Sequence, residues 1–120
     1  MPVTGVDHVQ LAMPAGGEEQ ARVFYRDVLG VPERPRPKDM AGRGGCWFES
    51  ASVKLHLGVD KNFRAATKAH PGLMVSGLAS IIEQCRQRGL EVNEAPPFGG
   101  CTRVFVHDPF GNRLELMEQI

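Results

Sequence analysis

The sequence predicts an α+β fold made from two copies of one unit, a strand followed by a helix followed by about three strands. Three observations lead there. Gly-Gly-Cys occurs at 44–46 and again at 99–101, each time after a Pro/Gly-rich stretch and beside a segment rich in aromatic and β-branched residues. The frames Lys54-Leu55-His56-Leu57 and Arg113-Leu114-Glu115-Leu116 share one outline near the ends of the two halves. His8 precedes His56 by nearly the interval that separates His70 from Glu115, so His8 corresponds to His70 and His56 to Glu115. A repeat of roughly 60 residues that occurs only twice is a duplication rather than a solenoid. The expected organisation is a single domain, 1–120, with a first module over 5–60 and a second over 68–119.

In the first module, Asp7-His8-Val9-Gln10-Leu11-Ala12-Met13 alternates as a strand does. Ala21, Phe24, Tyr25, Val28 and Leu29 mark one face of a helix over 18–29, which Gly30 and Pro32 end. The stretch from 31 to 45, rich in proline, glycine and basic residues, reads as a loop, and Glu33 to Gly45 within it as a candidate cleft lid. Strands follow at 46–50 and 53–59. In the second module, His70 to Val75 leads into a helix starting near Ser76, with Leu78, Ile81, Ile82 and Cys85 on its buried face and Gly89 at its end. The segment 90–101, with Pro96 and Pro97, reads as a loop. Strands follow at 102–107 and 113–118, joined by Asp108-Pro109-Phe110-Gly111-Asn112, the residues a type I hairpin turn wants. The basic stretch 61–68 reads as the solvated linker between modules, with Phe63 partly buried.

Composition narrows the function. At 120 residues and 42% hydrophobic, the chain has the apolar content for one packed core. Fourteen basic residues balance fourteen acidic ones, so no global field recruits nucleic acid or an anionic membrane, and a small molecule is the expected partner. No apolar run approaches a membrane span and the first residues carry no signal-peptide pattern, which makes the cytoplasm the expected location. Cys46, Cys85 and Cys101 are an odd set without CxxC spacing, expected to stay reduced and structural.

Alternation along the strands sorts side chains onto two faces. Val9, Leu11, Met13, Val53, Leu55, Leu57, Leu73, Val75, Leu114 and Leu116 form the side that meets the helices. Opposite lie His8, Gln10, Lys54, His56, His70, Met74, Arg113, Glu115 and Met117. If a pseudo-twofold relates the modules, His8, His56, His70 and Glu115 converge in one cleft, a donor set suited to a divalent metal with room for a substrate. Lys54 shares the face of His56 and competes with it for the fourth ligand position. Gln10 and Lys54 are candidate substrate contacts, with Trp47 as a cleft wall and Met117 on the same face.

The segments "DHVQLAMPAGGEEQARVFYRDVLG", "AHPGLMVSGLASIIEQCRQRG" and "VFVHDPFGNRLELME" together resemble the vicinal oxygen chelate superfamily, the glyoxalase/bleomycin resistance/dioxygenase group, over essentially the whole chain. The resemblance implies paired βαβββ modules, a curved mixed sheet around a metal cleft, and a homodimer. It places the first-strand ligand on His8, the ligand opening the second module on His70, and the last-strand carboxylate on Glu115, which is also the catalytic base of glyoxalase I-like members. The slot often filled by Glu in glyoxalase I falls on His56 or Lys54, and the resemblance leaves Arg22, Arg43, Arg64 and Arg103 as candidates for the glutathione-binding arginines. The implied cofactor is a divalent ion, Zn, Ni, Mn or Fe(II), and the implied activity is lactoylglutathione lyase-like isomerisation. An Fe(II) extradiol-type dioxygenase and a bleomycin-resistance-like ligand-sequestering protein are the alternatives. Sequestering members lack metal ligands, so keeping His8, His70 and Glu115 favours the enzyme.

Overall fold

The computed structural model describes residues 2–120, and of Ala41 the backbone only; Met1, part of the start read as lacking a signal peptide, lies outside the described residues. The chain divides into two compact units, Met1–Phe63 and Arg64–Ile120. In the first, β1 (Val9–Met13) leads into α1 (Glu18–Ala21), which runs on as a π-helical segment, Arg22–Val28. Then come β2 (Glu33–Arg34), a 3-10 turn at Ala41–Arg43, β3 (Cys46–Ser50) and β4 (Val53–Val59). In the second, β5 (Gly72–Met74) leads through α2 (Leu78–Gln87) to β6 (Val92–Phe98), β7 (Cys101–His107) and β8 (Arg113–Gln119). Each unit holds one mixed four-stranded sheet, ordered β1-β4-β3-β2 and β5-β8-β7-β6, with β1 parallel to β4, β5 parallel to β8, and the remaining pairs antiparallel.

The α+β architecture agrees with the sequence, and four local expectations do not. The helix expected over 18–29 is α-helical for one turn only, after which Leu29 N–H reaches the Phe24 carbonyl, five residues back, at 2.9 Å. The widened turn lets the adjacent rings of Phe24 and Tyr25, 1% and 0% exposed, both enter the core together with Val28. Glu33–Arg34 pairs with Phe48 and Trp47 as a short edge strand inside the expected loop. The second expected loop contains β6, which runs through Pro96 and Pro97. β6 is an edge strand with a register shift between Ala95 and Phe98, the place where a sheet accommodates residues that cannot donate. Finally, α2 starts at Leu78 rather than near Ser76, behind Gly77 in a left-handed conformation.

The apolar faces pack as the alternation requires. Phe24 and Tyr25 meet edge to face at 4.8 Å, and Tyr25 stacks at 5.5 Å on Phe48 from β3, above Leu55 and Leu57 of β4. In the second unit Leu78, Ile81 and Cys85 of α2 are buried, as are Val104, Val106, Leu114 and Leu116. The β7–β8 connection is fixed by Asp108, 3% exposed: Oδ1 accepts from the N–H groups of Phe110 (2.9 Å) and Asn112 (2.8 Å), and Oδ2 accepts from Asn112 Nδ2 at 2.9 Å. The Asp-Pro-Phe-Gly-Asn motif is therefore a turn lock that sets where β8 begins, and with it the position of Glu115.

All three cysteines are free and buried. Burial pushes the Cys46 thiol up to about 11, so it stays protonated and unreactive at neutral pH. In the folded protein at pH 8, an aromatic disulfide reagent is expected to leave Cys46 unmodified, with all three thiols reacting once denaturant is added. Rapid labelling of Cys46 without unfolding would contradict this packing.

Candidate functional site

Two of the expected ligands meet in the second unit. Gly72 pairs in register with Glu115, which brings His70, two residues before β5, beside the carboxylate. His70 Nε2 lies 3.1 Å from Glu115 Oε1, and His70 Nδ1 lies 2.9 Å from the Lys68 carbonyl oxygen. A carbonyl only accepts, so Nδ1 carries a hydrogen and Nε2 is the ring nitrogen that faces the carboxylate, a contact that holds with a hydrogen on Nε2 or with an ion in that hydrogen's place. An imidazole lone pair and a carboxylate oxygen at this separation can both reach one divalent ion at the roughly 2.0–2.2 Å of such bonds. An Nδ1–H held by a carbonyl is also the outer contact that orients metal-binding histidines. By donor chemistry and spacing, the pair fits a divalent metal.

Arg103 holds the far oxygen of the same carboxylate, with Nη1 3.3 Å from Glu115 Oε2. Its Nε donates to the Pro96 carbonyl at 2.9 Å, and the guanidinium lies about 5.5 Å from the ring centres of Phe98 and Phe105. Glu115 is thus fixed from both sides, its side chain 12% exposed. Met117, the register partner of Arg103 and Met74, continues that strand face.

The first unit presents a column of three rings. His8 stacks on His56 at 4.4 Å, and His56 stacks on Trp47 at 4.0 Å with 4° between the planes. The β3–β4 register, Trp47 opposite His56 and Glu49 opposite Lys54, produces the second contact, and it also sets Glu49 Oε2 2.6 Å from His56 Nε2. The His56 side chain is 6% exposed. His8 Nδ1 lies 2.9 Å from Asp7 Oδ2, so the aspartate takes its hydrogen and Nε2 is the nitrogen left to offer. The Asp7 carboxyl lies below its ordinary range, chiefly because of that bond and then because of Lys54, whose Nζ sits 3.4 Å from Asp7 Oδ1. Gln10 lies against Gly58, where any Cβ would collide with its carboxamide.

The expected donors are thus engaged unequally. His70 and Glu115 are brought together, and His8 has its own carboxylate partner. His56 Nε2 is taken by Glu49 and both faces of its ring are covered, while Lys54 is paired with Asp7. Among the described residues no group of three or more His, Cys, Asp or Glu side chains is gathered that could hold an ion. The sequence reading missed Asp7 and Glu49, the carboxylates that orient the two first-unit imidazoles. Glu49 was within reach: a two-residue hairpin between β3 and β4 fixes the register that places it diagonally from His56.

No family model matches the chain, and neither does any curated protein. Solved structures do. A crystallised protein from Bacillus anthracis, described as of the glyoxalase family, is 41% identical over 98% of this chain and 97% of its own, with a TM-score of 0.88. The chain belongs to the glyoxalase family. More distant structures share the fold of this glyoxalase family member. The fosfomycin resistance protein FosX from Listeria monocytogenes is 15% identical with a TM-score of 0.76, covering 98% of this chain and 95% of its own. Another FosX structure holds Mn(II) and a dihydroxypropylphosphonic acid. A glyoxalase/dioxygenase from Nostoc punctiforme is 17% identical with a TM-score of 0.74, covering 97% and 91%. No helix among the described residues is long and apolar enough to cross a membrane.

Proposed function

We propose that this glyoxalase family member is a metal-dependent enzyme acting on a small substrate with two neighbouring oxygens, and that lactoylglutathione lyase-like isomerisation is the activity to test first. The observation that carries the reading is the His70 Nε2–Glu115 Oε1 pair, imidazole nitrogen to carboxylate at 3.1 Å. The proposed ligands are His70 and Glu115, with His8 as the first-unit ligand; what supports His8 is its place in the repeat and its Asp7-held ring. A divalent ion bound by these residues supplies Lewis-acid polarisation of the two substrate oxygens.

The side chains divide the remaining work. Lys68 fixes the His70 tautomer through Nδ1. Arg103 holds Glu115 Oε2 while Oε1 faces His70, so the carboxylate is oriented before substrate arrives. In the isomerisation, Glu115 takes the proton from the hydroxyl-bearing carbon and returns it to the adjacent carbon, a transfer that needs one carboxylate within reach of both. His56 serves in this reading as a support for the His8 ring, because Glu49 and Trp47 already engage it.

Metal-stripped protein titrated with Ni(II), Mn(II), Zn(II) and Fe(II) is expected to bind about one ion per chain. The loaded protein is then offered the hemithioacetal of methylglyoxal and glutathione, and thioester formation is followed. Failure to retain any of the four ions sinks the metal reading and leaves a ligand-sequestering protein. Metal retention without turnover, but with Fe(II)- and oxygen-dependent cleavage of a catechol, moves the activity to the dioxygenase class.

A further inference from the structure

A cleft of about 190 Å³ opens in the first unit, lined by Gln10, Arg36, Met40, Arg43, Trp47 and Gly58 among others. Two guanidiniums stand on its wall, and no carboxylate among the described residues does. In a chain whose formal charge is zero, that is a local excess of positive charge. Arg36 is tied down, Nη1 donating to the Gly44 carbonyl, with Glu18 close enough to feel its charge. The Arg43 backbone N–H donates to the Met40 carbonyl, but its guanidinium has no hydrogen-bond or ion-pair partner among the described residues, so its five N–H groups await an acceptor. Gln10 also lines the cleft, its carboxamide lying where a Cβ on Gly58 would stand.

Exposed arginines without partners are common, and charge alone would decide nothing. Here the guanidiniums share a concave site with an indole, whose ring is held rigid by stacking on His56 at 4.0 Å. The volume is below the roughly 300–1,000 Å³ of sites that enclose a drug-sized ligand, so the cleft takes one end of a molecule. The planar fork of a guanidinium matches a carboxylate or a phosphoryl group.

We propose that this cleft binds the oxyanionic end, carboxylate or phosphoryl, of a small molecule, with Arg43 as the principal donor and Trp47 as a wall. That the molecule is the enzyme's substrate rests on the reading of His8 as a metal ligand, since Trp47 and His8 flank His56 in one ring column. The anion site itself needs no metal.

Trp47 is the sole tryptophan of the chain and reports the cleft directly. Metal-free protein is titrated with inorganic phosphate and, separately, with acetate, against chloride at matched ionic strength. A saturable change in Trp47 emission is expected with at least one of the two, and which one saturates tells phosphoryl from carboxylate. Arg43→Gln is expected to weaken that binding roughly ten- to hundredfold, the range of a lost charged hydrogen bond, with the melting temperature unchanged because Arg43 supports nothing else. No saturable change, or equal affinity in the variant, overturns the site. Arginine-dependent anion binding in a protein that takes up no metal keeps this inference and removes the metal reading; metal uptake without anion binding does the reverse.

Discussion

Gly45→Ala is expected to lower the melting temperature by about 10 °C or more. Three costs coincide at that position. Gly45 has φ +92°, a left-handed backbone that costs an L residue roughly 1–2 kcal/mol. Its new Cβ would collide with the Leu57 carbonyl oxygen, and Leu57 is the ladder partner of Cys46, so the obstacle is backbone that cannot swing aside. Forcing such a contact typically costs a further ~1–3 kcal/mol. The shift would also pull Gly45 N–H from Glu18 Oε2, 2.8 Å away. A sum of about 3 kcal/mol or more is a large share of the ~5–15 kcal/mol that holds a domain folded. Gly99→Ala is the comparison: its φ is +61° but its Cβ would meet open space, so it carries strain without collision. If the two variants melt together, the collision with β4 is not the cause. The Glu18 contact adds a pH signature. The Gly45 N–H, the largest cause, holds the Glu18 carboxyl below its ordinary 4.5, so its stabilisation is complete above that value and is lost as the pH falls through the lower folded value. Gly45→Ala should therefore lose its disadvantage to wild type in part under strong acid.

The features legible in the sequence were those with a short period. Alternation alone placed Leu55 and Leu57, and Leu114 and Leu116, on the buried side, and so turned His56 and Glu115 the other way. Asp108-Pro109 announced the turn that the structure closes with three side-chain hydrogen bonds. What escaped were contacts made across long separations or against local propensity. Prolines at 96 and 97 argue for a loop until the sheet order shows β6 at an edge. Glu118 sits on the helix-facing side of β8, an acid out of pattern there. It caps α2, accepting from Gly77 N–H at 2.7 Å and Leu78 N–H at 3.3 Å. Glu18 does the equivalent for Gly45 across 27 residues. Each of these carboxylates breaks the apolar pattern of its own face, and that irregularity was the available signal. His56 shows the limit of reasoning by repeat: its frame matches Glu115, yet its neighbours are two rings and a carboxylate, where those of Glu115 are an imidazole and a guanidinium.

Glu115→Gln is expected to leave the protein folded, within about 1 kcal/mol of wild type, while weakening Mn(II) or Ni(II) binding by two orders of magnitude or more. The two halves of that outcome come from the same geometry. The Gln amide has the shape of the carboxylate it replaces, and its orientation is dictated by its neighbours. Arg103 only donates, so the amide oxygen takes the side of Oε2, 3.3 Å from Nη1. The amide NH2 then faces His70 Nε2, which, with Nδ1–H given to Lys68, is an acceptor. Every polar group finds a partner, so little stability is lost. The new hydrogen bond also occupies the lone pair through which His70 would hold an ion, and the second donor has lost its charge, so one substitution disables both ligands. Removing even an outer-shell partner of a metal ligand typically costs 10–100-fold in affinity, and losing two inner donors at once should exceed that. Mn(II) binding followed by electron paramagnetic resonance beside a thermal melt separates the effects. His70→Ala, which keeps the carboxylate, should bind more tightly than Glu115→Gln and still more weakly than wild type. Equal affinity of wild type and Glu115→Gln would mean that the ion, if any, is held elsewhere and that the His70–Glu115 contact is an ordinary surface ion pair.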